Sequence, residues 1–342
     1  MKVVYVVERL ELSGGVKVIV EHAEELSRRG HDVSIVTRHA AEGWMPVGVP
    51  VTVVPYFSAA TLPEADVHVA TWFETVVPTL RAGRARRVVH FSQGYEGIYP
   101  WIAHRKAEID EAYAQPVPKL LISAHLATLF AGRFPGPFHV LPQAIRAADY
   151  APPDPGRTSP RRPPAIGIVG PFEALNKGIR FGLEAVARLR ADGRSLRLHR
   201  ASQMPLTDEE RTLLPCDVYA FRASVAEMVS WYQSADVLVH PSFEAEGFPL
   251  PPLEAMAAGV PVVLTDIPSY APIPADAAPR VAPGDAAAIV REVALLLDDR
   301  ALWAARRRRG IEVAATFSLD RAIDALEEAL AEIVRGPAPA NP

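Results

Sequence analysis

Apolar residues along this chain gather into short, nearly continuous runs separated by stretches with a helical period. Runs at 3–7, 33–37, 51–54, 67–70, 88–91, 120–123 and 139–141 read as strands. Continuous runs, rather than alternating ones, mark strands buried on both faces, as in a parallel sheet. Residues 16–29 carry an amphipathic helical pattern, and another helix ends near residue 130. The same alternation resumes further on, with strands at 165–169, 196–199, 218–221, 237–240 and 260–265. Helices are expected at 177–189, 225–233 and 250–258, and 318–334 forms a long amphipathic helix.

Residues 151–164, APPDPGRTSPRRPP, show no hydrophobic period and are rich in proline and polar groups, which reads as a linker. Strands alternating with helices on either side predict two α/β, Rossmann-like, doubly wound parallel-sheet domains. The expected boundaries are 1–150 for the first and 165–316 for the second, with 317–335 as a terminal helix. A chain of 342 residues also exceeds what one core usually supports.

Thirty-six basic against forty acidic residues give no bias toward nucleic acid. Cys216 is the only cysteine, which excludes an intrachain disulfide framework and fits a reducing cytoplasm. Glu8, Arg9 and Glu11 interrupt the N-terminal apolar run before a signal-peptide core forms. No run approaches the roughly twenty apolar residues that span a bilayer, so stable membrane insertion is not expected.

The densest chemistry lies at 237–265, VLVHPSFEAEGFPLPPLEAMAAGVPVVLT. It reads as strand, Pro/Gly loop, helix, Gly259, strand. Pro251 and Pro252 suit a first helical turn, and Gly259 suits the left-handed position after the last one. A strand-to-helix turn offers unpaired backbone N–H groups and a positive dipole end, a natural anion site. Ligands of open parallel sheets bind outside the carboxyl ends of the strands. Glu246 in the loop and Glu254 in the helix are then placed to take hydroxyl groups.

The Glu246-x7-Glu254 spacing and its surroundings resemble the signature of retaining GT-B glycosyltransferases of the family-four type, over about twenty contiguous positions. The resemblance implies two domains facing a central cleft and a terminal helix that crosses back to the first. It gives Glu246 the donor sugar and its phosphate, and Glu254 the ribose of a nucleotide. Gly167 to Gly178, GIVGPFEALNKG, is similar to the family's diphosphate-binding stretch, with Lys177 at the lysine position. Ser13-Gly14-Gly15 is similar to its opening glycine loop, near the donor phosphates and the acceptor. That loop lacks the G-x-G-x-x-G fingerprint of a dinucleotide-binding turn.

Three departures stand out. Pro171 occupies the place of a companion arginine, for which Arg180 or Arg222 could substitute. Pro249 replaces a glycine and removes an N–H donor. Residues 140–146, VLPQAIR, replace the family's VIPNGVD. In the first domain, Gln93 takes the position of a donor-sugar histidine better than His90 does, and Tyr95 and Glu96 join His90 as acceptor-side candidates. Ser123 reads as a helix cap. Arg222 to Val225 are expected near the nucleotide, with Gly247 and Phe248 amides on the diphosphate. Arg200 reads equally well as a phosphate ligand or a surface arginine.

No metal-ligand pattern or nucleophile elbow occurs, so neither metal nor cofactor is expected. The implied activity is retaining transfer of a sugar, from a nucleotide-sugar donor to a saccharide or secondary-metabolite acceptor. Catalysis falls on Glu246, Gln93 and Lys177. The resemblance extends to antibiotic-pathway enzymes of the avilamycin type. A GT-B epimerase or phosphorylase, and a catalytically degenerate nucleotide-sugar-binding or regulatory subunit, are the alternatives.

Overall fold

The structure of the chain, a computed structural model, describes residues 1–40, 43–244, 247, 248 and 250–336. It divides into two units, Met1–Gln143 with the segment from Leu319 onward, and Ala144–Ser318.

The first unit runs β1 (Lys2–Val7), α1 (Gly14–Arg28), β2 (Asp32–Thr37), β3 (Val51–Val53), β4 (Ala65–Ala70), α2 (Phe73–Ala82) and β5 (Ala85–Ser92). It continues with α3 (Lys106–Tyr113), β6 (Lys119–Leu121), α4 (Ala124–Phe130) and β7 (Phe138–Val140). Among the described residues its sheet has the order β3-β2-β1-β4-β5-β6-β7, with every pairing parallel. β1, between β2 and β4, is buried from Val3 to Val7, which explains why the run reads as apolar on both faces.

The second unit runs β8 (Ala165–Val169), α5 (Ile179–Ala191), β9 (Arg197–Ser202), α6 (Asp208–Leu213), β10 (Val218–Phe221), α7 (Val225–Ser234) and β11 (Val237–His240). Then follow α8 (Pro251–Ala257), β12 (Val262–Thr265), β13 (Arg280–Val281), α9 (Ala286–Asp298) and α10 (Arg300–Thr316). Its sheet, also parallel, has the order β10-β9-β8-β11-β12-β13. Ile166, Ile168, Leu183, Val186, Val239, Ile289, Val293 and Trp303 join sheet and helices in one core.

The last helix, α11 (Leu319–Arg335), buries Leu319, Ala322, Ile323, Leu326, Ala329, Leu330 and Ile333, a stripe at helical spacing. The stripe packs on the first unit, and polar contacts frame it. Arg29 reaches Asp324 and Glu327 at 2.6 Å each, and Arg87 donates to Ile333 O at 3.0 Å. Burying an Ile or Leu side chain contributes roughly 1.5–3 kcal/mol, so this helix is part of the first unit's core. Among the described residues no helix is long and apolar enough to cross a membrane.

The structure corrects the linker expected at 151–164. The units divide between Gln143 and Ala144, and the proline-rich segment belongs to the second. Arg157 and Arg161 both pair with the fully buried Asp236 carboxylate, whose other oxygen accepts from Ala165 N at 2.7 Å. Arg307 on α10 donates to Asp154 O at 2.6 Å and Pro155 O at 2.9 Å. A segment without a hydrophobic period is thus held by charge. Losing the Asp236 carboxylate would leave the mostly buried Arg157 guanidinium without its partner, whereas losing Arg161 would leave Asp236 still paired.

Candidate active site

In the second unit the two loops singled out in the sequence meet. β8 is followed by Gly170, whose φ of +125° only glycine readily adopts. A short 3₁₀ turn, Leu175–Lys177, then leads to Gly178 at φ +60°, which opens α5. A Cβ on Gly178 would lie 2.1 Å from Pro241 O, just after β11, and Phe243 N donates to Asn176 O at 2.8 Å. The Lys177 loop is therefore stitched to the start of the loop that precedes α8. His240, at the end of β11, shares this corner. Burial and, secondarily, the Lys177 ammonium push its pKa down to about 3, and its Nδ1 lies 2.5 Å from the Tyr270 hydroxyl.

Glu254 occupies the first turn of α8 and is 7% exposed. Two phenols hold it: Tyr150 donates to Oε1 at 2.7 Å and Tyr232 to Oε2 at 2.8 Å. A carboxylate has about four lone-pair sites, so each tyrosine fixes one oxygen without exhausting it. Neither tyrosine stands out in the sequence. Tyr150 lies in the segment that read as a domain end, and Tyr232 lies within a helix, so only the fold reveals them.

Gly247 and Phe248 follow in the same loop. The Phe248 ring is buried against Phe317, centroids 5.8 Å apart, so its side chain packs in the interior and only its backbone can face a ligand. Glu246 and Pro249 lie outside the described residues.

After β10, Arg222 holds a left-handed φ of +49°, uncommon for a non-glycine residue. Val225 opens α7 behind a capping box, in which Ser224 Oγ accepts from Glu227 N at 3.3 Å and Glu227 accepts from Ser224 N at 2.7 Å.

Two arginines weighed as extra phosphate ligands are committed elsewhere. Arg200 is fully buried, pairs with Glu210 at 2.6 Å, and donates to Ile168 O and Gly170 O at 2.6 and 2.9 Å. It fixes the end of β8 and is neither a phosphate ligand nor a surface residue. Arg180 pairs with Glu209 and lies over the Phe172 ring.

In the first unit, Ser13 caps α1 by accepting from Val16 N at 3.2 Å, and Gly14 and Gly15 form the first helical turn. Gln93, at the end of β5, donates from Nε2 to Gly15 O at 3.0 Å. A Cβ on Gly15 would press on that amide at 3.1 Å. The glycine loop and Gln93 thus form one surface. Ser123 accepts from Leu126 N and is a helix cap.

The three acceptor-side candidates are corrected. His90 is 0% exposed, its ring packs edge-on against Tyr113, and neither ring nitrogen has a hydrogen-bond partner among the described residues. Burial and the nearby Lys119 charge push its pKa down to about 3, so it is a neutral core residue. Tyr95 is buried in an aromatic cluster with Tyr113, Phe130 and Phe134, and Asp110, Lys106 and Arg133 occupy its hydroxyl. Glu96 is 4% exposed. Burial pushes its pKa up to about 7 against the opposing Tyr113 hydrogen bond. Residues at a strand end point alternately outward and into the core, and sequence position alone does not separate the two.

Comparison with known proteins fits this geometry. Residues 163–299 match the family model described as Glycosyl transferases group 1. The lipopolysaccharide core biosynthesis mannosyltransferase LpsB of Rhizobium meliloti (strain 1021) is 32% identical over 146 residues, 40% of this chain and 41% of that protein. The MMP alpha-(1->4)-mannosyltransferase of Mycolicibacterium hassiacum is 27% identical over 245 residues, 66% of this chain. The matched stretches span only 41% and 58% of these two relatives. Among solved structures, HepE of Anabaena in complex with UDP and glucose has a TM-score of 0.79 at 15% identity, covering 97% of this chain and 99% of that one. By fold the chain is a GT-B protein of two parallel-sheet Rossmann-like units, and its segment 163–299 is similar to the group 1 glycosyl transferases.

Proposed function

We propose that this protein transfers a hexosyl group from a nucleotide-sugar donor to a hydroxyl of a saccharide, free or carried on a natural product, with retention at the anomeric carbon. The observation that carries this reading is Glu254, set in the first turn of α8 and held on both oxygens by Tyr150 and Tyr232. A rigid carboxylate at a helix start takes the vicinal hydroxyls of a ribose. Lys177, in the loop stitched to the residues just after β11, takes the diphosphate.

In the reaction the bond from the anomeric carbon to the diphosphate oxygen breaks. A bond from that carbon to the acceptor oxygen forms on the same face, and the acceptor's proton passes to the departing diphosphate. Lys177 and the amides of Gly247 and Phe248 stabilise the charge that builds on the leaving group. The motif gives Glu246 the donor sugar, and the first unit offers Gln93, fixed by Gly15. Val225 and Arg222 lie toward the base. The mannosyltransferase names of the relatives make a mannosyl donor the first to try.

The second reading, a nucleotide-sugar-binding subunit without transfer, is favoured by one observation: Arg180 and Arg200 are both engaged by glutamates, leaving Pro171's missing arginine unreplaced by either. Thermal-shift screening of UDP, GDP, dTDP and ADP sugars, followed by assay of released sugar, separates the two. Stabilisation by one donor together with slow hydrolysis, both lost in Glu254→Ala, supports the transferase. Stabilisation with no turnover of any donor supports the binding subunit.

A further inference from the structure

The first unit presents an exposed aromatic surface that the reading above leaves unused. β5 ends beside Gly94, and two short 3₁₀ turns follow, Glu96–Ile98 and Pro100–Arg105. Trp101 is 55% exposed and Ile98 44%. The Tyr99 and Trp101 rings stack with centroids 4.7 Å apart and planes within 7°, and Pro100 between them fixes the backbone. The Tyr99 hydroxyl lies 2.5 Å from where a Cβ on Gly94 would be. Gly94 adjoins Gln93, which is bonded to Gly15. The stacked rings therefore pack against the buried Gly94, next in sequence to the Gln93 that holds the glycine loop.

A stacked pair covers one face of each ring and keeps the outer face flat, rigid and apolar. A pyranose matches such a face: its ring C–H bonds lie on it while its hydroxyls point to the rim, each C–H···π contact being weak but additive. The charge pattern speaks against a lipid surface. Anionic membranes bind uncommitted basic groups, whereas Arg105 here is paired with Glu74 and Glu108 and Lys106 with Asp110. We infer that Tyr99 and Trp101 form the stacking platform for a pyranose ring of the acceptor saccharide. This rests on the transferase reading and replaces the buried His90, Tyr95 and Glu96 as the acceptor side.

The test uses the full chain, the nucleotide sugar selected by thermal shift, and an array of immobilised saccharides as acceptors. Trp101 is exposed, so Trp101→Ala folds, and its melting-temperature shift with nucleotide serves as the control for the second unit. We expect Trp101→Ala to raise the acceptor KM about tenfold, the scale of one lost ring-stacking contact, with kcat nearly constant. Trp101→Phe recovers most of the loss. Unchanged transfer in Trp101→Ala overturns the proposal. So does a wild type that hydrolyses donor yet labels no saccharide, or a variant that loses only its binding to phosphatidylglycerol vesicles. A wild type neither stabilised by nor hydrolysing any nucleotide sugar overturns the transferase reading itself, before an acceptor is added, and the platform with it.

Discussion

Each unit carries a buried glutamate engaged by tyrosine beyond the end of a strand, and the two are held differently. Glu254 receives one phenol on each oxygen and sits in the first turn of α8, behind two prolines that carry no N–H. Glu96 has one phenol, Tyr113, at 2.5 Å from Oε2, and that hydroxyl also lies 2.8 Å from Gly94 O. A phenol has a single proton to give. With Glu96 protonated, every group is satisfied: the carboxyl donates to the phenol and the phenol donates to Gly94 O. Burial then dominates and holds the group at about 7. At Glu96 one phenol and a backbone N–H do not offset the cost of burial, whereas Glu254 has a phenol on each oxygen.

That contrast can be broken at several points. The largest effect is expected at Glu254→Ala, with sugar transfer falling at least a hundredfold, since two hydrogen bonds to a charged group contribute roughly 1.5–3 kcal/mol each. Equal loss in Glu96→Gln would erase the distinction. Next, Lys177→Ala should weaken a nucleoside diphosphate about 10–100-fold by calorimetry and leave the nucleoside alone unaffected. Weakening of both would move Lys177 off the diphosphate. The double change Tyr150→Phe with Tyr232→Phe should cost about tenfold in donor KM while Glu254 remains, because the carboxylate loses its orientation but not its charge.

A separate effect is on stability alone. The pKa of Glu96 rises from its ordinary 4.5 to about 7 in the folded chain. The folded state therefore binds a proton that the unfolded chain releases between those values. Its contribution is complete below 4.5 and is lost as pH rises through 7, a change of about 3 kcal/mol at 1.36 kcal/mol per unit. Glu96→Gln, whose amide donates to Tyr113 as the acid does, should abolish this slope in urea titrations at pH 5 and pH 7.5. An unchanged slope would place the proton elsewhere.

The parallel strands were legible because two-sided burial writes itself as unbroken runs such as VVYVV, and the Lys177 and Glu254 loops because contiguous motifs carry their own geometry. What escaped was set by distant partners. α10 carries arginines at 306–309, and its buried stripe includes Arg307 and Gly310, so no apolar period announces it. α9, α2 and α3 were likewise passed over between the stronger signals. The segment 151–164 looked free because its anchors, Asp236 and Arg307, lie more than seventy residues away. At the end of β5, an inward-facing His90 and an outward-facing Gln93 differ only by register, which a single run of residues does not reveal.

The packing of α11 against the first unit bears on how the molecule is made. The second unit is one uninterrupted stretch, Ala144–Ser318, whereas the first needs its final helix to cover an apolar face. The earlier-synthesised unit therefore cannot complete its core until α11 is made, after the whole of the second unit. A chain ending after residue 318 would keep every element of the second unit and leave the first with its greasy flank open to chaperones.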